Sequence, residues 1–195
     1  MSRLTTFRST ATPHTATGTA TGVNSESLSG LDLSGTTHTN AGNYPTDPWT
    51  FTDSTGNYND ANGTVNDVIG QVSSTTTVTV ANATYDGNPH GGSASVTGAG
   101  GLNQSLTVTY SGRNTTVYGP STTPPTNAGE YTASASYPGD ANHTGSSDSK
   151  DYTIFQATSL TTVICPASVV FTGSPLTPCS ATRNRGWGLE CRSLG

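Results

Sequence analysis

Residues 126–137 read TNAGEYTASASY, and their alternation decides the fold. Tyr131, Ala133, Ala135 and Tyr137 fall on one face of an extended chain, with Thr132, Ser134 and Ser136 on the other. Apolar residues on one side and hydroxyls on the other mark a strand in a sheet with one buried face. The NAG before it reads as a turn running into that strand. The same opening occurs earlier: TNAGNY at Thr39–Tyr44 precedes TNAGEY at Thr126–Tyr131 by an offset of 87.

Working outward, other stretches recur. STTTVTV ending at Val80 corresponds to SLTTVIC ending at Cys165, an offset of 85. TPHTATGTATG (Thr12–Gly22) matches NPHGGSASVTG (Asn88–Gly98), and YDGNP (Tyr85–Pro89) returns as FTGSP (Phe171–Pro175). FTDSTGNYNDANGTVNDVI (Phe51–Ile69) lines up loosely with YPGDANHTGSSDSKDYTI (Tyr137–Ile154). The period is near 86, which divides the chain into a repeat at 13–70 lacking its first strands, a complete repeat at 71–156, and the opening strands of a third at 157–182. Residues 1–12 match nothing. The first repeat is shorter between its PH and TNAG marks, running from His14 to Thr39 where the second runs from His90 to Thr126. The extra length of the second falls at YSGRNTTVYGPSTTPP, a variable loop or hairpin.

A unit of about 86 residues with six or seven short alternating strands is the size of one immunoglobulin-like sandwich rather than of a solenoid turn. The expected fold is therefore all-β, tandem immunoglobulin-like β-sandwich repeats of about 86 residues. Within 71–156 the strands are expected at TTTVTV, SASVTG, SLTVTYSG, GEYTASASY and KDYTIF, with a further short strand at NTTVYG. Leu106, Val108 and Tyr110 share a face, as do Tyr152 and Ile154. The Tyr of NAGEY is either a tyrosine corner, its phenol bonding back to upstream backbone, or an ordinary core Tyr.

Composition agrees. Only 10% of the 195 residues are charged and 30% are apolar, with 23 Gly, 11 Pro and a net charge of −5. Helix formers are too few for a bundle, while Thr, Val and Tyr in short runs broken by Gly, Asn, Asp and Pro favour strands. An acidic body with 7 Lys and Arg in total lacks the clustered cations that nucleic-acid binding needs. No apolar run reaches the roughly 20 residues of a membrane span, and the N-terminus has no apolar signal-peptide core.

Taken together, YDGNPH, TGAGGL, TNAGEYTASASYPGDANH and GTVNDVIGQ resemble the MBG-type bacterial immunoglobulin-like repeat over roughly residues 13–182. The resemblance implies a tandem domain of large secreted or surface-attached bacterial proteins, structural or adhesive in role, with no catalytic residues to carry over. The expected location is extracellular or the cell surface. The expected partners are neighbouring repeats of the same parent protein, with surface glycans or other cells as further candidates.

Chemistry-bearing motifs are sparse. There is no GxSxG elbow, P-loop or HExxH, and no paired carboxylates in an apolar setting, so no enzyme is expected and no cofactor. His14 and His90 stand alike in Pro-His after a turn, and no second ligand stands at metal spacing. His38 and His143 read as isolated residues in polar loops. Asp60, Asn62, Asn66 and Asp67 miss the EF-hand spacing, as do Asp140 and Asp148, so Asx turns are the reading. Calcium between units remains the alternative. Trp49 and Tyr118 are the candidate ligand-contact aromatics if loops at a sandwich end bind carbohydrate. Cys165 and Cys179 flank a short two-strand excursion and differ together from the preceding copy, which favours a disulfide between them over two unpaired thiols.

The segment 183–195, RNRGWGLECRSLG, breaks the repeat where TGAGGL is due. Back-translated with permitted codons and shifted by one base, it reads TGAGGL. It is therefore expected to be an out-of-frame tail, with Arg, Trp187 and Cys191 carrying no functional weight. A weaker shift reading applies to 1–12, so a truncated gene fragment with no function of its own is a further alternative. The nucleotide sequence tests both.

Overall fold

The computed structural model describes residues 5–8 and 10–185. About half of the chain is strand, arranged in several sheets, and no α-helix occurs among the described residues. The strands, in chain order, are β1 (Thr5–Arg8), β2 (Ala20–Thr21), β3 (Ser27–Leu28), β4 (Leu31–Asp32), β5 (Gly42–Phe51) and β6 (Ala61–Gly70). They continue with β7 (Ser74–Thr79), β8 (Ala83–Thr84), β9 (Ser93–Gly98), β10 (Asn103–Leu106) and β11 (Thr109–Gly112). The last are β12 (Gly129–Gly139), β13 (Thr144–Phe155), β14 (Ser159–Ile164) and β15 (Ser180–Arg185). No helix among the described residues is long and apolar enough to cross a membrane.

The chain falls into two compact units. One is drawn from Met1–Val78, Ala94–Thr107 and Ala135–Asp148, the other from Thr79–Ser93, Val108–Ser134 and Ser149–Gly195. In the first, one sheet has the order β1-β6-β5-β4, a second β10-β9-β7, and β2 pairs with β3. Phe51, Ile69, Val78, Ala94, Val96, Ala135 and Tyr137 are among its buried apolar residues. The long β5–β6 pair carries a bulge. Tyr44 faces Asp67 and Asp47 faces Val65, so Pro45 and Thr46 together oppose Asn66. Pro45 has no N–H for the ladder, and an extra residue on its strand is the ordinary accommodation.

The second unit is built on the sheet β11-β12-β13-β8, with β14-β15 as a separate pair. The inward face of β12 is the one its sequence announces: Tyr131 and Ala133 are buried, with Val108, Tyr110, Tyr152 and Ile154. Tyr131 packs against Tyr152 at 5.6 Å between ring centroids, and Tyr110 meets Tyr152 edge-on at 6.4 Å. Such pairs add about 0.5–1.5 kcal/mol each beyond the area they bury.

Two strand registers recur along the chain. β2 pairs with β3 as Ala20↔Leu28 and Thr21↔Ser27, and β9 pairs with β10 as Val96↔Gln104 and Thr97↔Asn103 at the corresponding places of the next repeat. β1 lies parallel to β6 with Phe7 opposite Ile69, and β8 lies parallel to β13 with Ala83 opposite Ile154. Of the segment 1–12, residues 5–8 are thus β1. Of 183–195, residues 183–185 end β15, while Trp187 and Cys191 lie outside the described residues.

SLTVTYSG is two strands rather than one. β10 pairs with β9, whereas β11 pairs with β12, so the chain changes sheets between Leu106 and Thr109. NTTVYG forms no strand. The chain turns back there, with Gly112 N–H donating to the Tyr118 carbonyl at 2.8 Å and Tyr110 bridging Ser121.

Candidate functional site

Both NAG-Tyr turns close in the same way. Tyr131 Oη donates to the Asn127 carbonyl at 2.8 Å, and Tyr44 Oη donates to the Asn40 carbonyl at 2.8 Å. The phenol thus bonds back four residues upstream, which is the corner arrangement rather than an ordinary core Tyr. Burial holds the Tyr131 phenol above its ordinary pKa, so it stays a donor well into alkaline pH.

Residues of the first repeat meet residues of the second around Asn142, in the DANH turn. Asn142 Oδ1 accepts the Ala41 N–H at 2.7 Å, and Asn142 Nδ2 donates to Asn40 Oδ1 at 3.1 Å. Its backbone carbonyl accepts the Val72 N–H at 2.9 Å, and Thr144 N–H donates to the Val72 carbonyl at 2.8 Å. The Gln71 side chain donates to the Asp140 carbonyl at 2.7 Å. The NAG turn at Asn40–Ala41, the DANH turn and the chain entering β7 are thus tied together within one compact unit.

The DANH turn is itself fixed from within. Asp140 Oδ1 accepts the N–H groups of Asn142 and His143, an Asx turn, and Asp140 Oδ2 accepts the Tyr137 hydroxyl at 2.7 Å. That Tyr137 hydrogen bond, aided by His143, holds Asp140 well below the ordinary carboxylate range. His143 is buried, in contrast to the solvent position its loop suggests. Its Nε2 lies 2.8 Å from the Ala99 carbonyl and its Nδ1 2.9 Å from Asp140. These two partners, the carbonyl first, raise its pKa above 6.5. His38 is also engaged: its Nε2 is 2.8 Å from Asp47 Oδ2 and its ring stacks on Tyr44. His14 pairs its backbone with His38, and the His90 carbonyl accepts the Tyr152 hydroxyl at 3.1 Å.

Of the residues expected in Asx turns only Asp140 makes one: Asn62, Asn66 and Asp67 lie within strand β6, and Asp60 and Asp148 accept from the earlier residues Asp53 and Val78. Asp53, which the sequence reading did not single out, accepts the N–H groups of Thr55, Asn57 and Tyr58, while Asp60 Oδ1 accepts the Asp53 N–H at 2.9 Å. Asp148 caps the Val78 N–H at 2.7 Å. Asp67 differs: it is 3% exposed and neither carboxylate oxygen has a hydrogen-bond partner. Burial first, then the charge of Asp47, pushes its pKa above the ordinary carboxylate value. Asp47 and Asp67 are thus two buried carboxylates on the neighbouring strands β5 and β6, opposite Val65 and Tyr44 respectively, and near enough for the charge of Asp47 to act on Asp67. The sequence, which shows no paired carboxylates in an apolar setting, did not reveal them. Among the described residues no group of three or more His, Cys, Asp or Glu is arranged to hold a metal ion.

Trp49 and Tyr118 belong to different units. Trp49 is half-buried, opposite Gly63 on β6, and a Cβ there would come within 2.8 Å of the indole. Gly63 therefore gives the ring its seat. Tyr118 is also half-buried, edge-on to Tyr131, with its hydroxyl donated to the Thr123 carbonyl at 2.6 Å. It lines an open cleft of about 420 Å³ with Thr115, Thr116, Thr126, Asn127 and Gly129. Cys165 and Cys179 are joined as a disulfide, one just after β14 and the other just before β15.

No protein-family model matches the chain, and neither a curated protein nor a solved structure matches it.

Proposed function

We propose that this chain is a non-catalytic structural segment of a bacterial cell-surface or secreted protein. In this reading it consists of tandem immunoglobulin-like sandwiches divided as 13–70, 71–156 and 157–182, and it spaces or presents whatever its parent protein carries. The observation that carries the proposal is the joint at Asn142. A spacer must resist bending where repeats meet, and here successive repeats follow without a linker. The Asn142 side chain bonds the first repeat twice, and its turn is tied to the chain entering β7 through Val72. The recurring corner at Tyr44 and Tyr131 supports the same reading, because a mechanical element is served by a turn fixed identically in each copy. The test is small-angle scattering on Asn142→Ala. The substitution is expected to raise the radius of gyration and its spread while leaving the circular dichroism unchanged. An unaltered scattering curve would count against the spacer.

The cleft beside Tyr118 favours a second reading, a carbohydrate-binding module, since it sets an aromatic ring among hydroxyl-bearing Thr residues. Glycan-array binding lost in Tyr118→Ala and kept in Asn142→Ala would support this reading over the first.

A further inference from the structure

Two loops of the first compact unit are built alike. Residues 22–26 join β2 to β3, and residues 98–102 join β9 to β10. Each closes by donating its first N–H to its last carbonyl, Gly22 to Glu26 at 2.9 Å and Gly98 to Leu102 at 3.0 Å. Each is also clasped by one side chain from the turn of a long hairpin: Tyr58 lies between β5 and β6, His143 between β12 and β13. The glycine that opens each loop makes room for its clasp. A Cβ on Gly22 would strike the Tyr58 hydroxyl, and one on Gly98 would come within 2.9 Å of the His143 ring.

The two clasps differ in chemistry. Tyr58 donates its hydroxyl to Glu26 and accepts the Val23 N–H. Their mutual hydrogen bond holds Glu26 below and Tyr58 above its ordinary pKa, so neither changes charge near neutral pH. His143 instead faces two acceptors, the Ala99 carbonyl 2.8 Å from Nε2 and the Asp140 carboxylate 2.9 Å from Nδ1. A neutral imidazole has one N–H and can serve one of them, whereas the imidazolium serves both. The neighbours of His143 are Asp140 in its own turn, Gly98 and Ala99 in the clasped loop, and Val72, which bridges it through the backbone. Among the described residues Asp140 is the one charged group acting on it, and the second oxygen of Asp140 takes the Tyr137 hydroxyl.

We propose that His143 is a proton-operated clasp on the 98–102 loop, closed while its ring is charged and open once the ring is neutral. On deprotonation the remaining N–H stays on Nδ1, because the carboxylate is the stronger acceptor. Nε2 then turns a lone pair toward the Ala99 carbonyl, and two acceptors 2.8 Å apart repel each other. The ring is buried, which limits replacement of the lost bond by water. The carbonyl first, and Asp140 second, raise the pKa of His143. The tether is therefore complete below about 6.5 and is lost as pH rises through the folded value. What is released is a loop whose Gly100 (φ 69°) and Gly101 (φ 84°) hold left-handed conformations that a free chain has no need to keep. The 22–26 loop keeps its Tyr58 clasp over the same range and serves as an internal reference. None of this depends on the spacer reading, whose test is the joint at Asn142.

The experiment follows the isotope-labelled full chain by nuclear magnetic resonance from about pH 5.5 to about pH 9, a range in which neither Tyr58 nor Glu26 titrates. The His143 ring signals report its titration, and amide exchange corrected for the intrinsic rate reports protection of the Gly98 and Gly22 N–H groups. Gly98 protection is expected to fall on the order of tenfold, the loss of one charge-assisted bond, with its midpoint at the His143 titration. Gly22 protection is expected to stay level. His143→Gln should make Gly98 protection independent of pH, and Asp140→Asn should move the ring titration and the Gly98 midpoint to lower pH together. The proposal is overturned if Gly98 protection is unchanged across the His143 titration, or if His143 titrates at or below its ordinary value. It is equally overturned if Gly22 falls in step with Gly98, or if the Gly98 midpoint persists in His143→Gln. The parent chain decides by itself should His143→Gln fail to fold.

Discussion

Removing one oxygen from Tyr131 isolates the corner from the core. Tyr131→Phe keeps a ring that is 2% exposed and packed against Tyr118 and Tyr152, and deletes only the 2.8 Å bond to the Asn127 carbonyl. A neutral hydrogen bond is worth about 0.5–1.5 kcal/mol net. Asn127 is exposed, so water can reach its carbonyl once the phenol is gone, and the expected cost is about 1 kcal/mol rather than the larger penalty of a buried orphan. Tyr131→Ala also empties a buried ring and is expected to cost about 3–5 kcal/mol. Tyr44→Phe makes the same deletion at a more exposed residue and should cost less than Tyr131→Phe. Urea denaturation followed by far-ultraviolet circular dichroism reads all three as shifts in midpoint at constant slope. If Tyr131→Phe is as stable as the parent, the corner bond contributes nothing. If it is as damaging as Tyr131→Ala, the loss is not the hydrogen bond, and the corner argument fails either way.

Other outcomes follow from the same geometry. Asp67→Asn should stabilise the chain at pH 7 and hardly at all near pH 3.5. A carboxyl with a raised folded pKa contributes most below its unfolded value of 3.8 and loses that contribution as pH rises through the folded one, and an Asn has no such loss. Thermal melts across pH check it, and an Asp67→Asn chain less stable than the parent at pH 7 would refute it. His143 has a raised pKa, so its contribution is complete below about 6.5 and declines as pH rises through the folded value. Asp140 has a lowered pKa, so its contribution is present above 3.8 and declines in stronger acid. The DANH turn should therefore be most stable between those limits, and amide exchange at Asn142 and His143 measured against pH should show a protection maximum there. Reducing the Cys165–Cys179 bond, which spans a sequence separation of 14, should cost the β14–β15 hairpin about 3 kcal/mol and admit protease between 165 and 179. Residues 71–156 should survive that digestion, and a failure to recover them would remove the complete repeat from the account.

Where local alternation was unambiguous, the strands were legible. SASVTG is β9 without adjustment, and all four inward positions of GEYTASASY are buried. SLTVTYSG shows the limit. Leu106, Val108 and Tyr110 stay in phase across a point where the chain leaves one sheet for another, and a period of two carries no record of which partner a strand has. The site residues divide along the same line. Asp140 as an Asx turn could be read from its neighbours, because its partners are two and three residues away. Asn142 could not, since the groups it meets, Asn40 and Ala41, stand far earlier in the chain. Asp67 was hidden for a similar reason. In sequence it lies in a polar stretch, and its burial depends on the pairing of β6 with β5 and β1.

The stiffness of the joint at Asn142 is the central claim, and a distance distribution tests it most directly. Spin labels at Ser54→Cys and Ser105→Cys, both exposed and in the same compact unit, are placed in a Cys191→Ser chain with the native disulfide closed. Electron-electron double resonance should give one narrow distance, and Asn142→Ala should broaden it while each repeat keeps its strand signature. A distribution that is broad in the parent chain, or unchanged by Asn142→Ala, would contradict the account.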